Sequence, residues 1–127
     1  MTTPFKPFRF LDWRVYQDAR ELFFETRKIA TALPREYRFE IGSQVIRSSL
    51  SIVLNIAEGS GKFSPRDVGR FLDISIGSLY ETRAVFDILE NDPGLSVQIP
   101  AEIIPAMDQI GKQLGGLRKS ILKNSSN

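Results

Sequence analysis

The sequence contains no cysteine and no histidine among its 127 residues. Without cysteine there are no disulfides and no thiolate metal sites. Without histidine the chain lacks the commonest general base and the commonest transition-metal ligand. Any catalysis would therefore depend on Asp, Glu, Lys, Tyr or Ser, and the sequence predicts no cofactor and no metal site.

Long uncharged apolar runs are also missing. No stretch is long enough to cross a bilayer, and residues 1–10 hold no apolar run of signal-peptide length. We therefore expect a cytoplasmic protein without membrane association. The formal net charge is only +2, which is too small to indicate nucleic-acid binding by itself.

The sequence does contain enough apolar material for one core, with 42% hydrophobic and 25% charged residues. This composition and length predict a single domain over residues 1–127. Pro4 and Pro7 predict an extended N-terminal arm over residues 1–10. The polar C-terminal end predicts a frayed tail over residues 124–127.

Four segments show the three- and four-residue apolar spacing of amphipathic helices. Asp12 is the predicted N-cap of the first helix, and Ser64 with Pro65 marks the start of the third. The first, third and fourth helices are predicted over residues 12–33, 65–90 and 101–122. The second is predicted to begin at residue 36 or 41 and to end at residue 58. Because the connections are short and no strand pattern is visible, the sequence predicts an all-α protein, an antiparallel up-down-up-down four-helix bundle.

Glycines interrupt two of the predicted helices. Gly77 lies in the middle of the third, where Gly costs about 1 kcal/mol relative to Ala. We therefore expect another helix to approach closely at Gly77. Gly115 and Gly116 predict a kink or a tight crossing in the fourth helix.

The second helix has two apolar rows, which exceed what one bundle seam needs, with a narrow polar row between them. Surplus apolar surface favours association with another chain. We expect Arg47 to meet Glu81 on the third helix, with Asn55 and Glu58 nearer Arg70. The candidate residues for an interhelical polar network or contact surface are Gln44, Arg47, Ser51, Asn55, Glu58, Arg70, Ser78 and Glu81.

Three interpretations of these polar residues stay open. They form a structural network, a binding surface in which Arg47 and Arg70 contact phosphate or a partner, or a carboxylate pair of Glu58 and Glu81. The third interpretation is weakened because bundle metal sites use Glu-x-x-His, and no histidine is present. The candidate nucleic-acid contacts are Arg35, Arg38, Lys62 and Arg66.

The segment QVIRSSLSIVLNIAEG at residues 44–59, followed by RFL at 70–72 and GSLYE at 77–81, carries a family resemblance. It resembles four-helix bundle proteins encoded in intervening sequences of bacterial 23S ribosomal RNA genes, a family also described as ribosomal-protein-like. Relatives include accessory variability proteins of diversity-generating retroelements. The resemblance covers roughly residues 8–123. The motif positions are Gln44, Arg47, Ser51, Asn55, Glu58, Gly59, Arg70, Gly77, Ser78 and Glu81.

The resemblance implies an up-down bundle that assembles as a homopentameric ring around a central channel. It also implies, from the retroelement relatives, binding of nucleic acid and of a protein partner through basic surfaces. We therefore predict a non-enzymatic oligomeric interaction or scaffold protein. The alternative is an accessory protein that binds RNA or DNA through basic surfaces of the oligomer.

Overall fold

The fold was analysed in a computed structural model, which describes residues 7–125. All regular structure in this range is helical. The four long helices are α1 (Arg14–Thr31), α2 (Ser43–Ser60), α3 (Pro65–Asn91) and α4 (Ile103–Ser125). Three short elements accompany them: a 3-10 turn (Arg9–Asp12), a helical turn (Arg35–Tyr37) and a π-helical turn (Arg38–Gly42).

The helix boundaries agree with the sequence at α3 and differ elsewhere. Ser64 caps α3 as predicted, because its Oγ accepts a hydrogen bond from the Asp67 backbone N–H at 3.3 Å. The predicted N-cap role of Asp12 is wrong. Asp12 ends the 3-10 turn, and Trp13, in an extended conformation, holds the N-cap position without a side-chain cap. The second helix begins only at Ser43, after the π-helical turn.

The N-terminal arm is not extended where the structure describes it. Phe8 has a left-handed backbone (φ 56°), and the 3-10 turn follows it directly. The Arg9 side chain donates from Nε to the Ser60 carbonyl at 3.0 Å, which ties this turn to the end of α2. Residues 1–6 lie outside the described range. At the other end, α4 continues to Ser125, so the helix extends three residues beyond its predicted end and includes the first two residues of the predicted tail.

The helices run antiparallel and follow one another around the bundle. Residues of α2 meet residues of α3 in reverse order, as Ser48 with Thr82 and Ser51 with Ser78 show. Helix α4 packs on α3 and returns beside α1, where the Gln113 amide donates to Asp18 at 2.8 Å. The predicted up-down-up-down four-helix bundle is confirmed.

The core is a continuous layer of aliphatic side chains and one phenylalanine contributed by all four helices. Its largest fully buried members are Phe86, Ile52, Ile56, Leu72, Leu89, Ile103, Ile110 and Leu114. Burying such a side chain contributes about 1.5–3 kcal/mol each. This layer therefore supplies the driving force for folding, and the polar contacts described below select the register.

The glycines of the bundle fall into two groups. A Cβ on Gly59 would lie 2.8 Å from the Cβ of Phe71, so α2 and α3 approach there to a distance that only glycine permits. A Cβ on Gly77, Gly115 or Gly116 would meet no described atom within 4 Å apart from its own chain neighbours and helix backbone. The expected close crossing at Gly77 is therefore wrong within this chain. Helix α4 likewise continues through Gly115 and Gly116 without a neighbour close to either.

Replacing Gly59 with Ala tests the close approach of α2 and α3. We expect Gly59→Ala to lower the free energy of unfolding by about 1–2 kcal/mol, because overpacking against Phe71 outweighs the better helix propensity of Ala. Gly116→Ala, at an open helical position, is the matched control and should raise it by about 0.5–1 kcal/mol. Urea denaturation followed by circular dichroism measures both, and equal effects would contradict the packing described here.

Candidate interaction site on α2 and α3

Five small hydroxyl-bearing residues line the contact between α2 and α3, and we call them the hydroxyl seam: Ser48, Ser51, Ser75, Ser78 and Thr82. The hydroxyls of Ser48 and Thr82 lie 2.8 Å apart, and those of Ser51 and Ser78 lie 2.7 Å apart. Ser75 donates to the Ile52 carbonyl at 2.9 Å. Each of these hydroxyls has a partner, so its removal from water is compensated.

The seam continues to the protein surface at both of its ends. The Asn55 amide donates to the backbone carbonyl and to the hydroxyl of Ser51, at 2.8 and 3.0 Å. Nearer the start of α2, the Gln44 amide donates to the Glu81 carboxylate at 2.5 Å. The Arg47 guanidinium donates to the side-chain amide oxygen of Gln44, Oε1, at 3.3 Å.

Six of the eight predicted network residues thus lie along one interface: Gln44, Arg47, Ser51, Asn55, Ser78 and Glu81. The predicted Arg47–Glu81 ion pair does not form, because Gln44 takes the place opposite Glu81. A neutral amide can donate to the carboxylate of Glu81 and accept from the guanidinium of Arg47 at the same time. Gln44 therefore links the two charged groups.

Glu58 and Arg70 lie outside this network. The contact between Gly59 and Phe71 places them at the same level of the bundle, as the sequence predicted. However, Arg70 lies 3.7 Å from the carboxylate of Asp67, and its guanidinium covers the Phe71 ring at 5.2 Å. Glu58 is exposed and borders a surface groove with Phe8, Leu54 and Phe63.

The carboxylate pair considered from the sequence is not assembled. Glu81 accepts a hydrogen bond from Gln44, so it lies at the level of the start of α2. Glu58 comes fourteen positions after Gln44 on the same helix, which at 1.5 Å per residue places it about 21 Å away. Within residues 7–125, no group of three or more Asp or Glu side chains is arranged to hold a metal ion.

The four candidate nucleic-acid contacts separate into two pairs. Arg35 and Arg38 lie before α2, whereas Lys62 and Arg66 lie after it. The 18 residues of α2 place these pairs about 27 Å apart, at opposite ends of the bundle. They do not form one patch on a single chain.

Charge is distributed unevenly between the two halves of the bundle. The half with the α2–α3 turn (residues 7–20, 52–77 and 112–124) holds ten basic and five acidic residues. The other half (residues 21–51 and 78–111) holds six basic and ten acidic residues. Formal charges of +5 and −4 therefore face opposite directions, a polarity that the net charge of the chain conceals.

An exposed apolar stripe on the outer side of α2 and α3 was missed by the sequence reasoning. Ile74, Ile88 and Leu54 are exposed by 45%, 52% and 54%. On α3 the positions 74, 77, 81, 84 and 88 follow alternating steps of three and four residues, the spacing of a helix-packing seam. That spacing is visible in the sequence, but it runs beside a second, buried row on the same helix. We call Leu54, Ile74, Gly77, Glu81, Ala84 and Ile88 the outer face.

These features define a class of protein, an all-helical bundle whose second and third helices share a hydroxyl seam and carry a polar motif at the surface. The chain belongs to the family of 23S rRNA-intervening sequence proteins, whose family model matches residues 11–116. This confirms the resemblance drawn from the motif. No curated protein matches the chain. Among the helices described, none is long and apolar enough to cross a membrane.

A double-mutant cycle on Ser51 and Ser78 tests whether the hydroxyl seam couples α2 to α3. Each single change to Ala should cost about 1 kcal/mol, since it leaves the partner hydroxyl without its bond. The double variant should cost less than the sum of the singles by about 0.5–1 kcal/mol. The measurement is denaturant unfolding, and purely additive losses would show that the two hydroxyls do not interact.

Proposed function

We propose that this protein is a non-enzymatic interaction protein that self-associates through the outer face of α2 and α3. The observation that carries the proposal is Gly77, which is mid-helix and solvent-facing. Apart from its own chain neighbours and the backbone of its own helix, no described atom lies within 4 Å of the position that a Cβ would take. Gly at such a position destabilises the helix by about 1 kcal/mol. Nothing within the described chain offsets that cost, and a helix from a second copy would. Gly115 and Gly116 are equally open, but only Gly77 lies in one row with exposed isoleucines.

The neighbours of Gly77 support the same proposal. Ile74 and Ile88 lie on the same side of α3, with the exposed Ala84 between them. Small residues alternating with branched apolar residues form a surface that another helix can approach closely. Covering the exposed half of each isoleucine is worth about 1 kcal/mol.

The polar residues of this surface are suited to make the contact specific. The side chain of Gln44 is hydrogen-bonded to both Arg47 and Glu81, so the three side chains are already ordered in the single chain. Preorganised polar groups beside an apolar surface lower the entropy lost on binding. This supports a scaffold role for the motif over a catalytic one. The predicted cytoplasmic location and the pentameric ring stay predictions.

The substitution Gly77→Arg should dissociate the oligomer without unfolding the chain, since its side chain enters open space in the monomer. Gly116→Arg, on α4, is the matched control and should leave the assembly intact. Light scattering coupled to size-exclusion chromatography gives the mass. A wild-type particle of 14.4 kDa, the mass of one chain, would falsify the proposal.

Nucleic-acid binding is the second candidate function, and the charge polarity of the bundle favours it. The half with the α2–α3 turn carries a formal charge of +5, and the opposing charge of −4 lies in the other half of the bundle. A field of this kind attracts the phosphates of RNA or DNA and orients them toward one end of the protein. Repeating the basic end around an oligomer would add these fields.

A paired charge reversal tests this second function. Lys62→Glu with Arg66→Glu should weaken binding of a single-stranded RNA at least tenfold at about 50 mM salt. It should also flatten the dependence of affinity on salt, by about 0.7 in the logarithmic slope for each phosphate that is no longer neutralised. Arg35→Glu with Arg38→Glu changes the charge equally at the opposite end, and it should leave binding nearly unchanged. Fluorescence anisotropy is the readout. Equal weakening in both variants would contradict a directional basic site.

A further inference from the structure

Two phenylalanine side chains are exposed at the positively charged end of the bundle. Phe63, in the turn between α2 and α3, is 85% exposed, and Phe8, just before the 3-10 turn, is 72% exposed. Both border one groove of about 730 Å³, whose lining also includes Leu54 and Ala57 of α2. Large aromatic side chains normally bury their rings in a core or an interface. Two of them beside one open groove therefore indicate a binding surface.

The backbone and the neighbours of Phe8 fix its position beside the groove. Phe8 has a φ of 56°, the one positive φ of a non-glycine residue in the described part of the chain, which is unfavourable for a bulky side chain. Its carbonyl accepts a hydrogen bond from the Leu11 N–H at 3.1 Å, and its ring lies 6.4 Å from that of Phe10. Phe8 is thus held in place although most of its surface lies in water.

Basic side chains border the same groove. Arg9 and Lys62 belong to its lining, and Glu58 is the one carboxylate among the described lining residues. The Lys62 Nζ lies 5.0 Å from the centre of the Phe71 ring, and the Arg9 guanidinium lies 5.2 Å from that of Trp13. Cation–π contacts of this kind hold a charge in position. The groove therefore combines exposed rings with positioned positive charges.

Phe39 shows that exposure of a ring does not define such a surface by itself. It is also 85% exposed, but it lies in the π-helical turn at the opposite end of the bundle. Residues 35–40 around it hold two basic and two acidic side chains. Residues 61–70 around Phe63 hold three basic side chains and one acidic side chain. An excess of positive charge therefore accompanies Phe63 and not Phe39.

We propose that the groove bordered by Phe8 and Phe63 binds single-stranded nucleic acid, with unpaired bases stacked on the two rings and phosphates beside Lys62 and Arg66. This inference rests on the nucleic-acid binding proposed above as the second function, and it names the form of nucleic acid and the surface that receives it. Proteins that bind single strands use aromatic rings for the bases and basic groups for the backbone.

The same groove is poorly suited to a duplex. Inside a duplex each base is covered on both faces by its neighbours, so the rings of Phe8 and Phe63 could reach only the terminal bases. Every unpaired base, by contrast, offers a face on which a ring can stack. We therefore expect a preference for single strands with little dependence on their sequence.

The groove is largely separate from the surface proposed for self-association. Leu54 is the one residue that the groove shares with the outer face of α2 and α3. Phe8 and Phe63 lie beyond it, at the end of the bundle. Substitutions of these two rings should therefore leave the mass of the assembly unchanged.

Removing the rings one at a time tests the proposal. Phe63→Ala and Phe8→Ala should each weaken binding of an RNA single strand of about 12 nucleotides by about five- to a hundredfold, the loss expected for one stacked base. Phe39→Ala removes an equally exposed ring and is the matched control, so its affinity should stay within about twofold of the wild type. Fluorescence anisotropy at about 50 mM salt is the readout. Circular dichroism and light scattering check the fold and the mass of each variant.

Two further substitutions separate stacking from general apolar contact and from charge. Phe63→Leu keeps an apolar side chain without a ring and should weaken binding as Phe63→Ala does, whereas Phe63→Tyr keeps the ring and should bind like the wild type. Neither should change the dependence of affinity on salt, because no phosphate contact is lost. Lys62→Glu with Arg66→Glu should flatten that dependence.

The possible failures are distinguishable. A wild type that binds duplex RNA as tightly as the single strand would overturn the stacking proposal alone. Phe8 and Phe63 variants that bind like Phe39→Ala would do the same, and both results leave the basic end as a nucleic-acid site. A wild type that binds neither form at about 50 mM salt would overturn the second function as well.

Discussion

The short distance between α2 and α3 is the constraint on which the rest of the structure depends. Small serine and threonine side chains and the missing side chain of Gly59 let the two backbones approach, and the hydroxyl pair of Ser51 and Ser78 fixes their register. A slip of one residue would bury hydroxyls without partners, which is unfavourable in a dry interface. The register in turn places Gln44 beside Glu81, and it turns the Gly77 side of α3 toward solvent.

Helix α3 contacts its neighbours on both sides and still has surface left over. One side packs on α2 through the hydroxyl seam, and the other packs on α4, where Arg118 pairs with Asp73. Its remaining surface carries Ile74 and Ile88 in the open. A helix of 27 residues that is covered by two neighbours and carries two exposed isoleucines in one row with Gly77 and Ala84 has surface on which another helix can pack. The proposed self-association follows from this surplus.

Particular residues show why some sequence predictions succeeded and others failed. Ser64 and Pro65 were located because capping is decided by a few adjacent residues. Asp12 has a side chain that often caps helices, but it ends a 3-10 turn instead. The hydrogen bond from Arg9 to the Ser60 carbonyl fixes this turn, and the two residues are 51 positions apart in the sequence. Likewise, six of the eight residues predicted for the polar network lie along the contact between α2 and α3, whereas Glu58 and Arg70 lie outside it. The sequence did not predict that Gln44 links Arg47 to Glu81, because this depends on how far side chains extend from one helix to the next.

The sequence by itself determined the four helices, the antiparallel order and the family, because apolar spacing and a local motif are properties of contiguous residues. Only the tertiary structure decided that the Gly77 side of α3 stays open and that the basic and acidic residues gather at opposite ends of the bundle. Each of these depends on the rotation of one helix against another. That rotation is set by the sum of many weak packing contacts between distant residues, and no single stretch of sequence encodes it.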